Sequence, residues 1–322
     1  MSLRREFVTL ATQPEANISA LCRRYGISRK TGYKWIKRFE VEGLTGLEDR
    51  SRRPHRSPNR TPAHVETVIC DVRREHPAWS GYKIRHFLLR KARDGGGRVD
   101  ASEVPAASTC QAILDRHGLV EPSEPQEHAG WTRFEKERPN ELWQMDFKGD
   151  FPTTQGAQIY PLTVLDDHSR FSLVLRACQD QRASTVREQL TRAFHRYGLP
   201  DRMLVDNGPP WGSPYTAGRL DPPHHTQFTV WLMRLGVKVT HSRPFHPQTL
   251  GKEERFHRTL GAEVLRTGSF SSVSHTQERF DEWRDIYNLE RPHEALDMDV
   301  PAEHYQPSSR PCPDDLPAIA YR

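Results

Sequence analysis

Apolar positions along the 322-residue chain follow one rhythm in its first third and another in its second half. At the start they recur at helical intervals: residues 3–11 carry a one-sided stripe, Pro14 and Asn17 interrupt it, and Ile18, Leu21, Cys22 and Tyr25 form a second stripe. A third stripe holds Tyr33, Trp35, Ile36 and Phe39, which predicts three helices, with Gly26 and Ile27 making a turn and Ser28 capping the last helix. Residues 46–62 are basic and Pro-punctuated with few apolar side chains, as a linker would be. Helical spacing returns over 65–75, 81–89 and 108–117, with 94–97 as an internal turn, and a Pro- and Glu-containing linker runs over 121–139. Past Pro139 the period shortens. Strands are predicted over 142–151, 159–165, 171–177, 202–205 and 237–240, and helices over 184–197 and 226–235, an alternating α/β order.

The first three helices look like a helix-turn-helix, because a Gly-containing turn precedes a helix whose first turn is polar and basic. Ser28, Arg29, Lys30, Thr31, Tyr33 and Lys34 are then the candidates for base edges and phosphates. Charge supports this placement. Residues 1–60 hold 14 Lys plus Arg against 6 Asp plus Glu, a net of +8 within a chain whose total is +5. A basic end suits phosphate binding through counterion release. Arg50, Arg52, Arg53 and Arg56 in the linker are candidates for phosphate or minor-groove contacts. Residues 63–120 read as a second helix-turn-helix or winged-helix module.

Other compositional signals mainly exclude. No apolar run is long enough to span a membrane, and the N-terminus lacks the apolar stretch of a secretion signal, so a cytoplasmic location is expected. Cys22, Cys70, Cys110, Cys178 and Cys312 are scattered, without disulfide or zinc spacing. His224, His225, His241 and His246 fit no common zinc site either.

Three acidic residues carry the candidate chemistry. Asp146 stands in Trp143-Gln-Met-Asp146-Phe-Lys148, Asp206 ends a predicted strand at Asp206-Asn-Gly208, and Glu254 opens a helix in Gly251-Lys-Glu-Glu254-Arg255. A fold that gathers strand ends and a helix start would cluster three carboxylates, and such a cluster calls for a hard divalent cation. With Asp167-His-Ser-Arg170, the run from His246 to Leu260 and Tyr287-Asn-Leu-Glu-Arg-Pro-His-Glu-Ala-Leu296, these motifs make residues 140–306 resemble the retroviral-integrase-type catalytic core of insertion-sequence transposases.

That resemblance implies an RNase H-like α/β core with a mixed five-stranded sheet, preceded by all-α helix-turn-helix modules. The implied boundaries are 1–45 for the first module, 63–120 for the second, 140–268 for the core, 269–306 for a helical extension and 307–322 for a tail. It further implies two Mg²⁺ ions, replaceable by Mn²⁺, with Asp146 bridging them and Asp206 and Glu254 each holding one. The implied partners are double-stranded DNA, as terminal inverted repeats and target, and further copies of the chain in a homodimer or larger synaptic oligomer. A bacterial, nucleoid-associated setting follows, and a domesticated, non-catalytic DNA-binding regulator is the alternative.

Neighbouring helical positions point about 100° apart, so only one of Glu253 and Glu254 can face the ions well. In the family the ligand stands three residues after the Gly of Pro-Gln-X-X-Gly, which selects Glu254 and leaves Glu253 as an exposed or DNA-flanking neighbour. Lys148, Asn207, Lys252, Arg255 and Arg258 are further candidate DNA contacts, whereas Asp166 and Asp167 read as a polar turn bracing the sheet. Residues 209–225 look like a loop insertion that lengthens the Asp206 to Glu254 separation to 48 positions.

Overall fold

A computed structural model describes residues 3–50, 60–120, 135–206, 208, 211, 226–242, 251–266 and 268–315. The chain divides into two compact units, Met1–Arg60 and Thr61–Arg322. Among the described residues no helix is long and apolar enough to cross a membrane.

The first unit holds α1 (Leu3–Ala11), α2 (Ile18–Arg24) and α3 (Arg29–Glu42). Both later helices start on side-chain caps: Asn17 accepts a hydrogen bond from the Ala20 amide at 3.0 Å, and Ser28 accepts one from the Thr31 amide at 3.2 Å. Such caps satisfy amides that the first helical turn leaves without partners. Between α2 and α3 the chain reverses at Gly26, whose φ of 62° suits glycine. Phe7, Val8 and Cys22 are buried at the centre, with Trp35, Ile36 and Phe39 packed against them, so the predicted apolar stripes meet in one core.

The second unit begins with α4 (Ala63–Glu75), α5 (Gly81–Arg93) and α6 (Ala107–Arg116), which enclose Val65, Ile69, Trp79, Ile84, Cys110 and Leu114. These helices have their own core yet are tied to C-terminal segments of the same unit. Ile286 packs against that core, Lys91 Nζ lies 3.0 Å from Glu290 Oε1, and Arg90 Nη2 lies 2.7 Å from Glu303 Oε1.

The sheet contains β1 (Trp143–Phe147), β2 (Phe151–Pro152), β3 (Gln158–Asp166), β4 (Ser172–Cys178), β5 (Arg202–Val205) and β6 (Lys238–His241). Its long strands run in the order β4-β3-β1-β5-β6. Pairing is antiparallel from β4 to β1 and parallel from β1 to β6, so the sheet is mixed, as expected. The single strand predicted over 142–151 is broken. β1 ends at Phe147, the chain turns at Gly149 with φ 42°, and the two-residue β2 pairs with the start of β3.

Alternation along β1 sends Trp143 and Met145 to one face, where they join Val186, Leu190 and Phe194 of α7 (Ala183–Tyr197) and Phe228 and Leu232 of α8 (Gln227–Arg234). The opposite face packs Leu165 and Leu175 against Phe256 and Leu260 of α9 (Gly251–Leu260) and Phe280, Trp283 and Tyr287 of α10 (Val273–Leu289). Trp283 and Tyr287 are thus core residues. A π-helical turn, Gly261–Leu265, continues α9.

Candidate active site

Parallel pairing sets Gln144 of β1 beside Leu204 of β5. Continued by two residues, that register brings Asp146 beside Asp206 at the ends of adjacent strands. Both are half-buried. Asp146 Oδ1 accepts from the Phe147 amide at 2.8 Å, and Asp206 Oδ1 accepts from the Gly208 amide at 3.0 Å. The carbonyl of Asp206 lies 2.9 Å from His241 Nδ1, so the imidazole donates there from β6.

Helix α9 supplies the other carboxylates. Its inward stripe is Glu253, Phe256 and Leu260, at intervals of three and four residues. Glu253 is 0 % exposed, contrary to the exposed or DNA-flanking position expected from sequence, because it shares a face with the apolar residues that dock the helix. Glu254 is exposed, one helical step away. Beneath them, Thr163 of β3 pairs with Asp146 across the ladder. Its hydroxyl donates to the Asp146 carbonyl at 3.0 Å and lies 2.9 Å from Glu253 Oε2 and 2.8 Å from His257 Nε2. His257 Nδ1 is 3.9 Å from Asp146 Oδ2.

Burial pushes the Asp146 carboxyl up to about 7, and the charges of Asp206 and Glu254 add to the effect. Three carboxylates therefore share one electrostatic field. Burial, followed by the charge of Asp146, raises Glu253 well above the usual carboxylate range. Burial and the nearby Lys148 push His257 down to about 3, so its imidazole is neutral at pH 7. Among the described residues no three His, Cys, Asp or Glu side chains already form a metal-chelating group. Asp146, Asp206 and Glu254 fit a divalent cation by charge and by hard-oxygen chemistry, since a cation would relieve the repulsion that raises Asp146.

Two models described as Integrase core domain match residues 136–247 and 235–301, spanning the sheet, α9 and α10. A Helix-turn-helix domain model matches 3–55, and a Homeodomain-like domain model matches 31–113. An uncharacterized protein of insertion element IS407 from Burkholderia multivorans is 28 % identical over 51 % of this chain and 55 % of its own length. A counterpart from insertion element IS476 of Xanthomonas euvesicatoria is 27 % identical over 51 % of this chain and 44 % of its own. The chain belongs to the integrase core domain family and resembles proteins of insertion elements.

This integrase-core chain spans about half the length of those curated relatives. Among solved structures it is similar to a chain of the simian T-cell lymphotropic virus intasome, at 16 % identity over 73 % of this chain and 80 % of that one, with a TM-score of 0.45. It is also similar to the HTLV-2 integrase catalytic core domain in complex with magnesium, at 13 % identity over 53 % and 99 %, with a TM-score of 0.39.

In the helix-turn-helix of this family member, Arg29, Lys30, Tyr33 and Lys34 are exposed at the start of α3, with Tyr33 58 % exposed. Lys37, one turn further on and also exposed, was missed by the sequence reading. Its helical spacing from Tyr33 and Lys34 was the available signal. Ser28 and Thr31 are engaged in the cap of α3, and Arg50 pairs with Glu42. Arg52, Arg53, Arg56 and Asn207 lie outside the described residues, as do His224, His225, His246 and all of the 209–225 insertion except Trp211. Trp211 lies in a turn outside any helix or strand. It is buried, 5.8 Å from the Phe147 ring and 5.7 Å from that of Phe228, because an indole of that size gains most by joining the core.

The basic candidates of the core separate by environment. Arg258 is exposed, and Arg255 is exposed with Nη2 3.6 Å from Glu294. Lys148 is half-buried and close enough to His257 to depress its basicity. Lys252 requires correction as a DNA contact: its ammonium lies 2.6 Å from the carboxylate of fully buried Asp167 and 2.9 Å from its carbonyl oxygen. Asp167 also accepts from the Lys136 amide and Gln144 Nε2, so the turn expected to brace the sheet also anchors α9. Lys252→Met is expected to destabilise the fold by about 3 kcal/mol in denaturant titrations, since it strips a buried carboxylate of its cation. The salt dependence of DNA binding should not change, whereas loss of a true phosphate contact would lower its slope by about one.

Proposed function

We propose that this chain is a DNA strand transferase that binds terminal inverted repeats through its helix-turn-helix and uses Asp146, Asp206 and Glu254 to support cleavage of the repeat ends and their joining to target DNA. The observation that carries this reading is the shared field of the three carboxylates on the two strand ends and α9 of an integrase core. Asp146 would contact both of two Mg²⁺ or Mn²⁺ ions, with Asp206 and Glu254 holding one each. Such ions supply charge neutralisation at the scissile phosphate and activation of the oxygen nucleophile.

The chain's own groups do the positioning. The Phe147 and Gly208 amides orient the two aspartates by each donating to one carboxylate oxygen. The neutral His257 borders Asp146 without adding a competing positive charge. Lys148, Arg255 and Arg258 offer charge to DNA phosphates around the cluster, and exposed α3 offers Arg29, Lys30, Tyr33 and Lys34 to the groove. Joining two ends to one target requires at least two copies of the chain.

The test is incubation of a labelled terminal-repeat duplex with the chain in Mg²⁺ or Mn²⁺. Metal-dependent nicking and joining are expected; binding without chemistry under either cation would instead indicate a DNA-binding regulator. A further consequence concerns pH. A carboxyl whose folded pKa is raised to about 7 contributes stability below the unfolded value and loses it as pH rises through about 7. The cation-free chain is therefore destabilised at this group on going from acid to neutral pH, and cation binding reverses the effect by favouring the ionised form. Apparent Mn²⁺ affinity, measured by calorimetry, should strengthen by up to about tenfold per pH unit below about 7 and level off above it.

A further inference from the structure

One hydroxyl touches both elements that carry the cluster. Thr163 Oγ1 donates to the main-chain carbonyl of Asp146 on β1 and meets Glu253 and His257 on α9, at separations of 3.0, 2.9 and 2.8 Å. Glu253 directly precedes Glu254, so whatever fixes the rotation of α9 at Glu253 also fixes the direction of Glu254. Thr163 and Glu253 are both 0 % exposed, which shields these bonds from exchange with water. The single proton of Thr163 is within reach of both the Asp146 carbonyl and Glu253 Oε2, and a hydroxyl lone pair remains to accept from His257 Nε2.

We propose that Thr163, Glu253 and His257 form a positioning clamp that holds α9 in rotational register against β1 and so sets the spacing of Asp146 and Glu254 for cation binding. Glu253 acts through this clamp and is not itself a cation ligand. The inference rests on the reading of Asp146, Asp206 and Glu254 as the ligands.

It is tested by Mn²⁺ binding to the full chain, followed by electron paramagnetic resonance with and without a terminal duplex, alongside circular dichroism melts. Thr163→Val, which keeps the shape and removes the hydroxyl, should weaken Mn²⁺ binding by about ten- to hundredfold, the range seen when groups that orient metal ligands are removed. Thr163→Ser should restore binding to within about threefold of wild type, and Glu253→Gln, which keeps size and hydrogen-bonding capacity, should do likewise. If Thr163→Val leaves Glu253 without its partner and fails to fold, the double variant Thr163→Val with Glu253→Leu replaces both polar groups by apolar ones, and it should fold yet bind Mn²⁺ equally weakly.

A folded Thr163→Val or double variant with wild-type affinity overturns the clamp. So does a Glu253→Gln variant that loses binding as completely as Asp146→Asn, since Glu253 would then be a ligand. Absence of any Asp146-dependent Mn²⁺ binding by the wild-type chain, with or without the duplex, would sink the ligand assignment itself and the clamp with it.

Discussion

Asp146→Asn is expected to lower metal-dependent cleavage and joining of a terminal duplex by at least about a thousandfold, in line with losses of groups that act as a catalytic unit. The substitution is nearly isosteric, and its oxygen can still accept from the Phe147 amide as Asp146 Oδ1 does. What it removes is the charge, and with it the demand for a cation that Asp146, Asp206 and Glu254 create together. Because that charge is held at a cost through burial and repulsion, the cation-free variant should be at least as stable as wild type at pH 7. Loss of chemistry with unimpaired folding and DNA binding, the last measured by mobility shift, separates a ligand from a structural acid. Asp206→Asn and Glu254→Gln should behave alike; retention of strand transfer by Asp146→Asn would refute the assignment.

The second large effect lies behind the cluster, where α9 passes through its π-turn. Glu263 Oε1 is 3.1 Å from Arg291 Nε, with side chains only 4 % and 8 % exposed, and Glu263 Oε2 accepts from Trp283 Nε1 at 2.8 Å. Arg291 also lies over the Tyr287 ring at 5.9 Å. Arg291→Met keeps much of the side-chain volume but withdraws the cation from a nearly buried carboxylate, and should cost about 3–5 kcal/mol in the denaturant-induced unfolding of the larger unit. Adding Glu263→Gln should recover part of the loss, because the remaining group no longer carries an uncompensated charge. A loss below about 1 kcal/mol for Arg291→Met would show that the pair behaves as an exposed one. The pair also explains why Arg291 belongs to the Asn-Leu-Glu-Arg-Pro-His motif: it ties the end of α10 to the turn that continues the helix bearing Glu254.

Legibility differed from residue to residue for physical reasons. The α3 stripe and its Ser28 cap and the strand ending at Val205 could be read, because each depends on spacing within one short segment, whereas the break of the first strand at Phe147 could not. The burial of Glu253 had a local signal, since it stands three residues before Phe256 and seven before Leu260, but a carboxylate on an apolar stripe reads as an error until its partner is known. That partner, Thr163, is 90 positions away. Lys252, Arg255 and Arg258 are alike as sequence; only the packing of Asp167 under α9 separates a buried cross-link from exposed cations.

By itself the sequence determined the helix-turn-helix, the alternating α/β order and the three acidic positions, because local periodicity, capping and motif spacing are properties of neighbouring residues. Tertiary structure decided that Asp146 and Asp206 share a field with Glu254, that Glu253 faces inward, that Lys252 is spent on Asp167 and that α5 is tied to the C-terminal segments. Each of those depends on strand register and helix rotation, which are fixed by contacts between residues far apart in the chain.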